Sequence, residues 1–243
     1  MQLRGTFSAA IAGGVIGAAL TAALLVFATP QSVSSRIVRQ GMLADPGVLR
    51  DAASALQRQD MEQAKAQQDA ALGLNRAAIE TPFASSWKGS ARPDVTVVEF
   101  FDYACPYCKA VNPIVDRLIA EDKGLRVVYR ELPIIGGQES VAAARLSLAA
   151  SKAGRFAQFH DTLWAAGRPS PETLAAATSA AGIPAQPPSG DQAIEAELTR
   201  NMRLAEQLRV TGTPLFVIGD KVINAYVPYD ELKKAIADAR AKG

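Results

Sequence analysis

An α/β fold with a helical insertion, preceded by an N-terminal helical arm, follows from three observations. The only two cysteines of the 243 residues, Cys105 and Cys108, stand close together between an apolar run, Val95–Phe101, and a run with helical spacing, Lys109–Asp122. Apolar strand-like runs recur at Leu125–Glu131, Pro214–Ile218 and Lys221–Asn224. Between the first and second of these lies a long stretch, about residues 138–208, in which the pattern is helical throughout.

The elements follow in order. Ser34–Leu43 reads as a short helix. Asp45-Pro46 is a helix start, with Asp as N-cap and Pro in the first turn. Val48, Leu49, Ala52 and Leu56 then share one face, with Met61 and Ala64 continuing it loosely, and Gly73 is the expected stop. So thin a stripe cannot build a core of its own. It serves either a solvated spacer helix or an oligomerisation arm buried against copies of itself. Pro82–Pro93 reads as a linker or edge segment, followed by the strand 95–101, the cysteine pair, a helix over 108–121 and the strand 125–131 closed by Pro133 and Gly136-Gly137. Helices are expected at Val141–Ala153, Phe156–Ala165, Pro171–Ala181 and Asp191–Leu208, punctuated by Pro169, Gly182, Pro184 and Pro187-Pro188. The last two strands meet at the turn Gly219-Asp220, and a final helix runs Tyr229–Ala241. The order strand, cysteine pair, helix, strand, helical block, two strands, helix is that of a thioredoxin-like fold with a helical insertion.

With 49% hydrophobic and 21% charged residues the chain has the material for a packed core, and a net charge of +2 without any basic cluster interleaved with aromatics excludes a nucleic-acid partner. The first 35 residues hold one charge, Arg4, and Ser8–Ala28 is an uncharged apolar run. It is either a signal peptide cut near Val26-Phe27-Ala28 or an uncleaved anchor, since about 20 residues span a bilayer. Both readings place the rest of the chain outside the cytoplasm. Three segments result: 1–30 as signal or anchor, 31–80 as helical arm, and 81–243 as the main domain.

An exported chain with only two cysteines does not use disulfides as staples. Cys105 precedes the first helical turn, where unpaired N–H groups and the helix dipole favour a thiolate, so it is the expected attacking sulfur. Pro106 fits the first helical position, and Cys108, inside the helix, is the expected resolving thiol. The rival readings are a static disulfide and half of a metal site. Zinc wants four ligands, and two cysteines with the lone His160 do not supply a structural site. Glu99 is the odd residue in its apolar strand. Buried under the pair, its carboxyl would have a raised pKa and take the proton from Cys108, whereas the bland alternative is an outward-facing edge position. Thr213-Pro214 opens a strand, where a proline marks an edge or a cis bond, and a cis bond facing the cysteines would free the Thr213 backbone to pair with an extended substrate. His160, among Phe156, Phe159, Leu163 and Trp164, reads as a packed core histidine.

Taken together, Glu99-Phe-Phe-Asp-Tyr-Ala-Cys105-Pro-Tyr-Cys108-Lys, Tyr129-Arg-Glu-Leu-Pro-Ile-Ile, Phe159-His-Asp and Gly212-Thr213-Pro214-Leu-Phe-Val resemble the DsbA-like thiol–disulfide oxidoreductases over about residues 93–243. The resemblance implies Cys105 as nucleophile, Cys108 as resolving thiol and Glu99 as buried acid. It also implies Thr213 and Pro214, with Pro106 and Tyr107, as the substrate-binding surface, and no cofactor beyond the Cys105–Cys108 disulfide. Within that group the arm over 36–64 is similar to the ScsC, or suppressor of copper sensitivity, type, which includes proteins that trimerise and act as isomerases. The dipeptide Pro106-Tyr107, where the oxidase DsbA has Pro-His, and Thr213 before Pro214 agree with an isomerase and with a less oxidising motif. The resemblance therefore implies a periplasmic disulfide isomerase or reductase acting on unfolded or misoxidised exported proteins and kept reduced by a membrane thiol reductase. The rivals are an oxidase fed by a quinone-linked membrane partner and, from another class, a Cu(I)-binding copper-tolerance protein.

Overall fold

The computed structural model describes residues 31–186 and 190–242, so the apolar run 8–28 lies outside the described residues. Among those described, no helix is long and apolar enough to cross a membrane. By contacts the chain forms two units, Met1–Gln63 and Ala64–Gly243.

In the first unit, α1 (Gln31–Ala44) is followed at once by α2 (Pro46–Glu80), whose first turn is capped by Asp45 Oδ1 accepting from the Gly47 N–H at 2.9 Å. The apolar side chains Val38, Leu43, Val48, Leu49, Leu56 and Met61 of this unit are all exposed.

The helix does not stop at Gly73 but runs on to Glu80, inside the second unit. The reason is tertiary. Leu72 and Ile79 are buried in a core with Val98, Phe100 and Val128, and the fully buried Arg130 guanidinium takes the helix's terminal carbonyls at Ala78, Ile79 and Thr81. Carbonyls at a helix end otherwise lack partners. Packing and capping together outweigh the roughly 1 kcal/mol that a glycine costs inside a helix.

The second unit is built on a five-stranded sheet of order β1-β3-β2-β4-β5. β2 (Val95–Phe101) and β3 (Leu125–Glu131) are parallel, while β1 (Trp87–Gly89), β4 (Leu215–Ile218) and β5 (Lys221–Ile223) join antiparallel. β1 is the edge strand within Pro82–Pro93. Along β2 the side chains alternate: Val95, Val97 and Phe101 enter one core, Val98 and Phe100 the other. The first core is covered by α3 (Pro106–Glu121), by α8 (Tyr229–Arg240) and by the insertion helices α5 (Phe156–Ala166) and α6 (Pro171–Ala181). The second is covered by the end of α2 and by α7 (Gln192–Gln207), while α4 (Gly137–Lys152) contributes Leu148 to a satellite cluster with Ile194 and Leu198. This is a thioredoxin-like fold with a helical insertion. α4 starts four residues before the expected Val141, at the Gly136-Gly137 corner.

Candidate active site

The two cysteines sit at the junction of β2 and α3. Cys105 is the N-cap of α3 with extended backbone, Pro106 takes the first helical position, and the Cys105 N–H is held by the Asp102 carbonyl at 2.9 Å. Both sulfurs are unbonded and buried, Cys105 at 2% and Cys108 at 0% exposure, and both belong to the core under β2. The Thr213–Pro214 bond is cis, and the Cys105 thiol donates to the Thr213 carbonyl at 3.2 Å. Pro106 and Tyr107, in the first turn of α3, are exposed to solvent.

One environment treats the two thiols in opposite ways. The hydrogen bond from Cys108 does most to bring Cys105 down to about 5, against the effect of burial, with Thr213 and the N–H groups of Cys108 and Tyr107 adding to it. The Thr213 hydroxyl is buried and has no partner in this dithiol form, so it remains available to a thiolate. Cys108 is pushed far above the ordinary thiol range, by burial first, then by the proton it gives to Cys105 and by the nearby Glu99 charge.

Glu99 is buried on the cysteine side of the sheet. Burial first, then the Asp116 and Cys105 charges, raise it to about 8, with Lys88 opposing. Its cross-strand neighbours are Tyr129 on β3 and Phe216 on β4. The Tyr129 hydroxyl is buried without a hydrogen-bond partner. Beside it, Lys88 of β1 bridges Asp116 of α3 and Asp161 of α5 at 2.5 and 2.8 Å.

Sequence reasoning missed Asp102. Its buried carboxylate accepts from the Ala104 N–H at 2.8 Å, the Ile135 N–H at 2.7 Å and the Ser140 hydroxyl at 2.5 Å, tying the cysteine loop to the loop after β3. Those loops touch at Gly136, where a Cβ would lie 2.5 Å from the Ala104 methyl carbon. The available signal was an Asp at a strand end, where its side chain turns back to the N–H two residues on. His160 is buried in the aromatic cluster of Phe101, Tyr103, Tyr129 and Phe156. Its ring bonds Tyr103 Oη at 3.0 Å and accepts from Trp164 Nε1 at 3.1 Å, and burial holds it neutral. It does not reach the cysteines through any hydrogen bond. Among the described residues no three His, Cys, Asp or Glu side chains are grouped to hold a metal ion.

Residues 96–237 match the family model of the DSBA-like thioredoxin domain. The chain is 30% identical to a periplasmic thioredoxin-like protein from Salmonella enterica serovar Typhimurium, covering 69% of this chain and 97% of that one with a TM-score of 0.63. Proteus mirabilis ScsC in a transitional conformation matches 88% of this chain and 96% of its own at 26% identity and a TM-score of 0.66. Disulfide bond formation protein D of Bacillus subtilis is 27% identical over 160 residues, 58% of this chain and 71% of that protein. A 79-residue stretch is also 37% identical to the Na(+)/H(+) antiporter NhaA 3 of Salinispora tropica, spanning only 12% of the antiporter's length.

Proposed function

The chain belongs to the DSBA-like thioredoxin domain family, and from that premise we propose that it is an extracytoplasmic thiol–disulfide oxidoreductase working as a disulfide isomerase or reductase on exported proteins. The observation that carries this reading is the asymmetry of the pair: Cys105 ionises easily and Cys108 hardly at all. The thiolate of Cys105 attacks a disulfide of the client, and one client sulfur leaves. A client thiol then displaces Cys105, which completes an isomerisation. Alternatively Cys108 gives its proton to Glu99 and attacks Cys105, which releases the client reduced and leaves Cys105–Cys108 oxidised. The Thr213 backbone and the exposed Pro106 and Tyr107 receive the client strand.

The depressed Cys105 thiol supports this direction. A thiolate at about 5 is stabilised less than the about 3.5 of a strong oxidase and more than the about 7 of thioredoxin, so the reduced form is favoured only moderately. A membrane thiol reductase then keeps the pair reduced, and copies joined through residues 31–80 present several such sites to one unfolded client. Acid-quenched thiol trapping in intact cells tests this. A mostly reduced pair is expected; a mostly oxidised one replaces the reading with that of an oxidase fed by a quinone-linked partner. Cys108→Ser sharpens the choice, since shuffling through Cys105 alone survives it and net oxidation does not.

A second reading rests on the two adjacent sulfurs, which suit Cu(I). Copper titration of the reduced protein decides it: thiols left fully titratable at one equivalent remove copper from consideration.

A further inference from the structure

Across the sheet from Glu99, the Tyr129 hydroxyl is buried without a hydrogen-bond partner. On the parallel pair β2–β3, Glu99 lies level with Tyr129, and on the antiparallel pair β2–β4 it lies level with Phe216. Side chains alternate along a strand, and Val97, Phe101, Val127, Tyr129 and Phe216 all enter the core that contains Cys105 and Cys108. Glu99 and Tyr129 therefore share the face under the cysteines. Phe216 has nothing to donate. Tyr129 is 1% exposed, and its hydroxyl is a buried donor with no acceptor, a situation that ordinarily costs about 1–3 kcal/mol. Apart from burial, Glu99 is the charge that acts most on Tyr129, followed by Asp116 and Asp161.

We propose that the Tyr129 hydroxyl is the hydrogen-bond donor of the ionised Glu99 carboxylate, directly or through one water, and so is a positioning residue for the proton that Cys108 must lose. It rests on the assignment of Glu99 as that proton's acceptor. While Glu99 holds a proton, the phenol has no anion to bind. When Glu99 is ionised, the phenol stabilises it, which extends to lower pH the range in which the carboxylate can take the Cys108 proton. The Cys108 thiolate then attacks the Cys105 sulfur of the mixed disulfide, a Cys105–Cys108 bond forms, and the client sulfur leaves as thiolate. The proton on Glu99 passes outward toward Lys88, Asp116 and Asp161, which stand between the buried face and solvent. The other groups facing Glu99 are Cys105 and Cys108 at the start of α3, Asp116 on α3, Lys88 on β1 and, on the loop after β2, Tyr103. Lys88 favours the anion as a charge, whereas Tyr129 does so as a donor.

The test is the pH profile of client release, measured in single turnovers of the reduced protein with a fluorogenic peptide disulfide, for the wild type, Tyr129→Phe and Glu99→Gln. Tyr129→Phe keeps the ring and removes only the hydroxyl. Its release limb is expected to move up by about one pH unit, with release about tenfold slower near neutrality, recovery at high pH and no change in the initial attack by Cys105. A profile that superimposes on the wild type overturns the proposal. If Glu99→Gln keeps the limb, the assignment of Glu99 itself fails. If Glu99→Gln removes the limb and Tyr129→Phe does not shift it, only the Tyr129 inference fails. Infrared difference titration of the wild type gives a second readout that needs no variant: the tyrosine C–O band should change in step with loss of the Glu99 carboxyl band, and an unchanging tyrosine band would sink the idea.

Discussion

α2 is one unbroken helix with two unlike halves. Its first half carries Val48, Leu49, Leu56 and Met61 on the surface, while its last turns bury Leu72 and Ile79. The stripe of the first half is the better amphipathic pattern, and the second half is interrupted by Gly73. Burial follows instead from what lies opposite. The second half meets Val98, Phe100 and Leu208, donates from Gln68 to the Leu208 carbonyl and from Arg76 to Asp220, and ends on Arg130. An apolar stripe says that a face wants cover, and only a complementary surface decides whether one chain supplies it.

The contrast can be broken most directly at Arg130. Its guanidinium pairs with the buried Glu197 at 2.8 Å and also bonds Asn201. Arg130→Ala leaves the buried Glu197 with only the more exposed Arg200, at 3.3 Å, and leaves three carbonyls at the end of α2 without this donor. A loss of about 3–5 kcal/mol in urea unfolding is expected, with the helix signal of the first half persisting after the second has melted. Arg130 variants that unfold as one step at wild-type denaturant would remove the clamp from this account.

The pH dependence separates the halves next. Glu99 has a folded pKa of about 8 against the usual 4.5. The folded state therefore binds the extra proton, and its contribution is whole below about 4.5 and lost as pH rises through about 8. Glu99→Gln should flatten this loss, worth on the order of 5 kcal/mol at alkaline pH. The measurement belongs in the oxidised protein, because in the reduced one the depressed Cys105 thiol contributes with the opposite sign. The arm carries no such buried acid, so helicity lost from the arm over the same pH range would contradict the division.

Gly73 lies within the second half, and a Cβ added there would meet nothing within 4 Å. Gly73→Ala should raise the thermal midpoint, by about 0.5–1 kcal/mol of stability, because it removes unfolded-state freedom without a clash. A destabilised variant would mean that the glycine has a packing role. The smallest intramolecular effect is expected for Leu49→Ala with Leu56→Ala, within about 0.5 kcal/mol in dilute protein. If copies of the chain cover this stripe, the same pair should lower the oligomer mass in sedimentation; an unchanged mass assigns the half to a solvated spacer.

Much of the catalytic unit was legible. β2 and β3 occupy 95–101 and 125–131 as the apolar runs indicate, and α6 spans Pro171–Ala181 between its serine cap and Gly182. The cysteine pair stands out because it interrupts a strand-to-helix pattern, and Glu99 because it interrupts an apolar strand. β1 was hidden, since Trp87-Lys88-Gly89 is too short for any period and owes its pairing to β3. Asp102 and Tyr129 were hidden because an Asp in a loop and a Tyr in a strand are ordinary in composition. Their roles depend on what the fold brings opposite them: Ile135 and Ser140 for one, Glu99 for the other.

The local elements, the position of Cys105 at a helix start and the presence of one carboxyl in an apolar strand can be read from the chain without its fold. They depend on neighbours within a few residues, where periodicity, capping and solubility act. Three other facts exist only in the folded molecule: the Thr213 carbonyl meets Cys105, α2 passes Gly73, and Tyr129, whose buried hydroxyl has no acceptor, pairs across the sheet with Glu99. Those facts join residues far apart in the chain, and only the registry of the folded sheet and the closing of its two cores bring them within reach of one another.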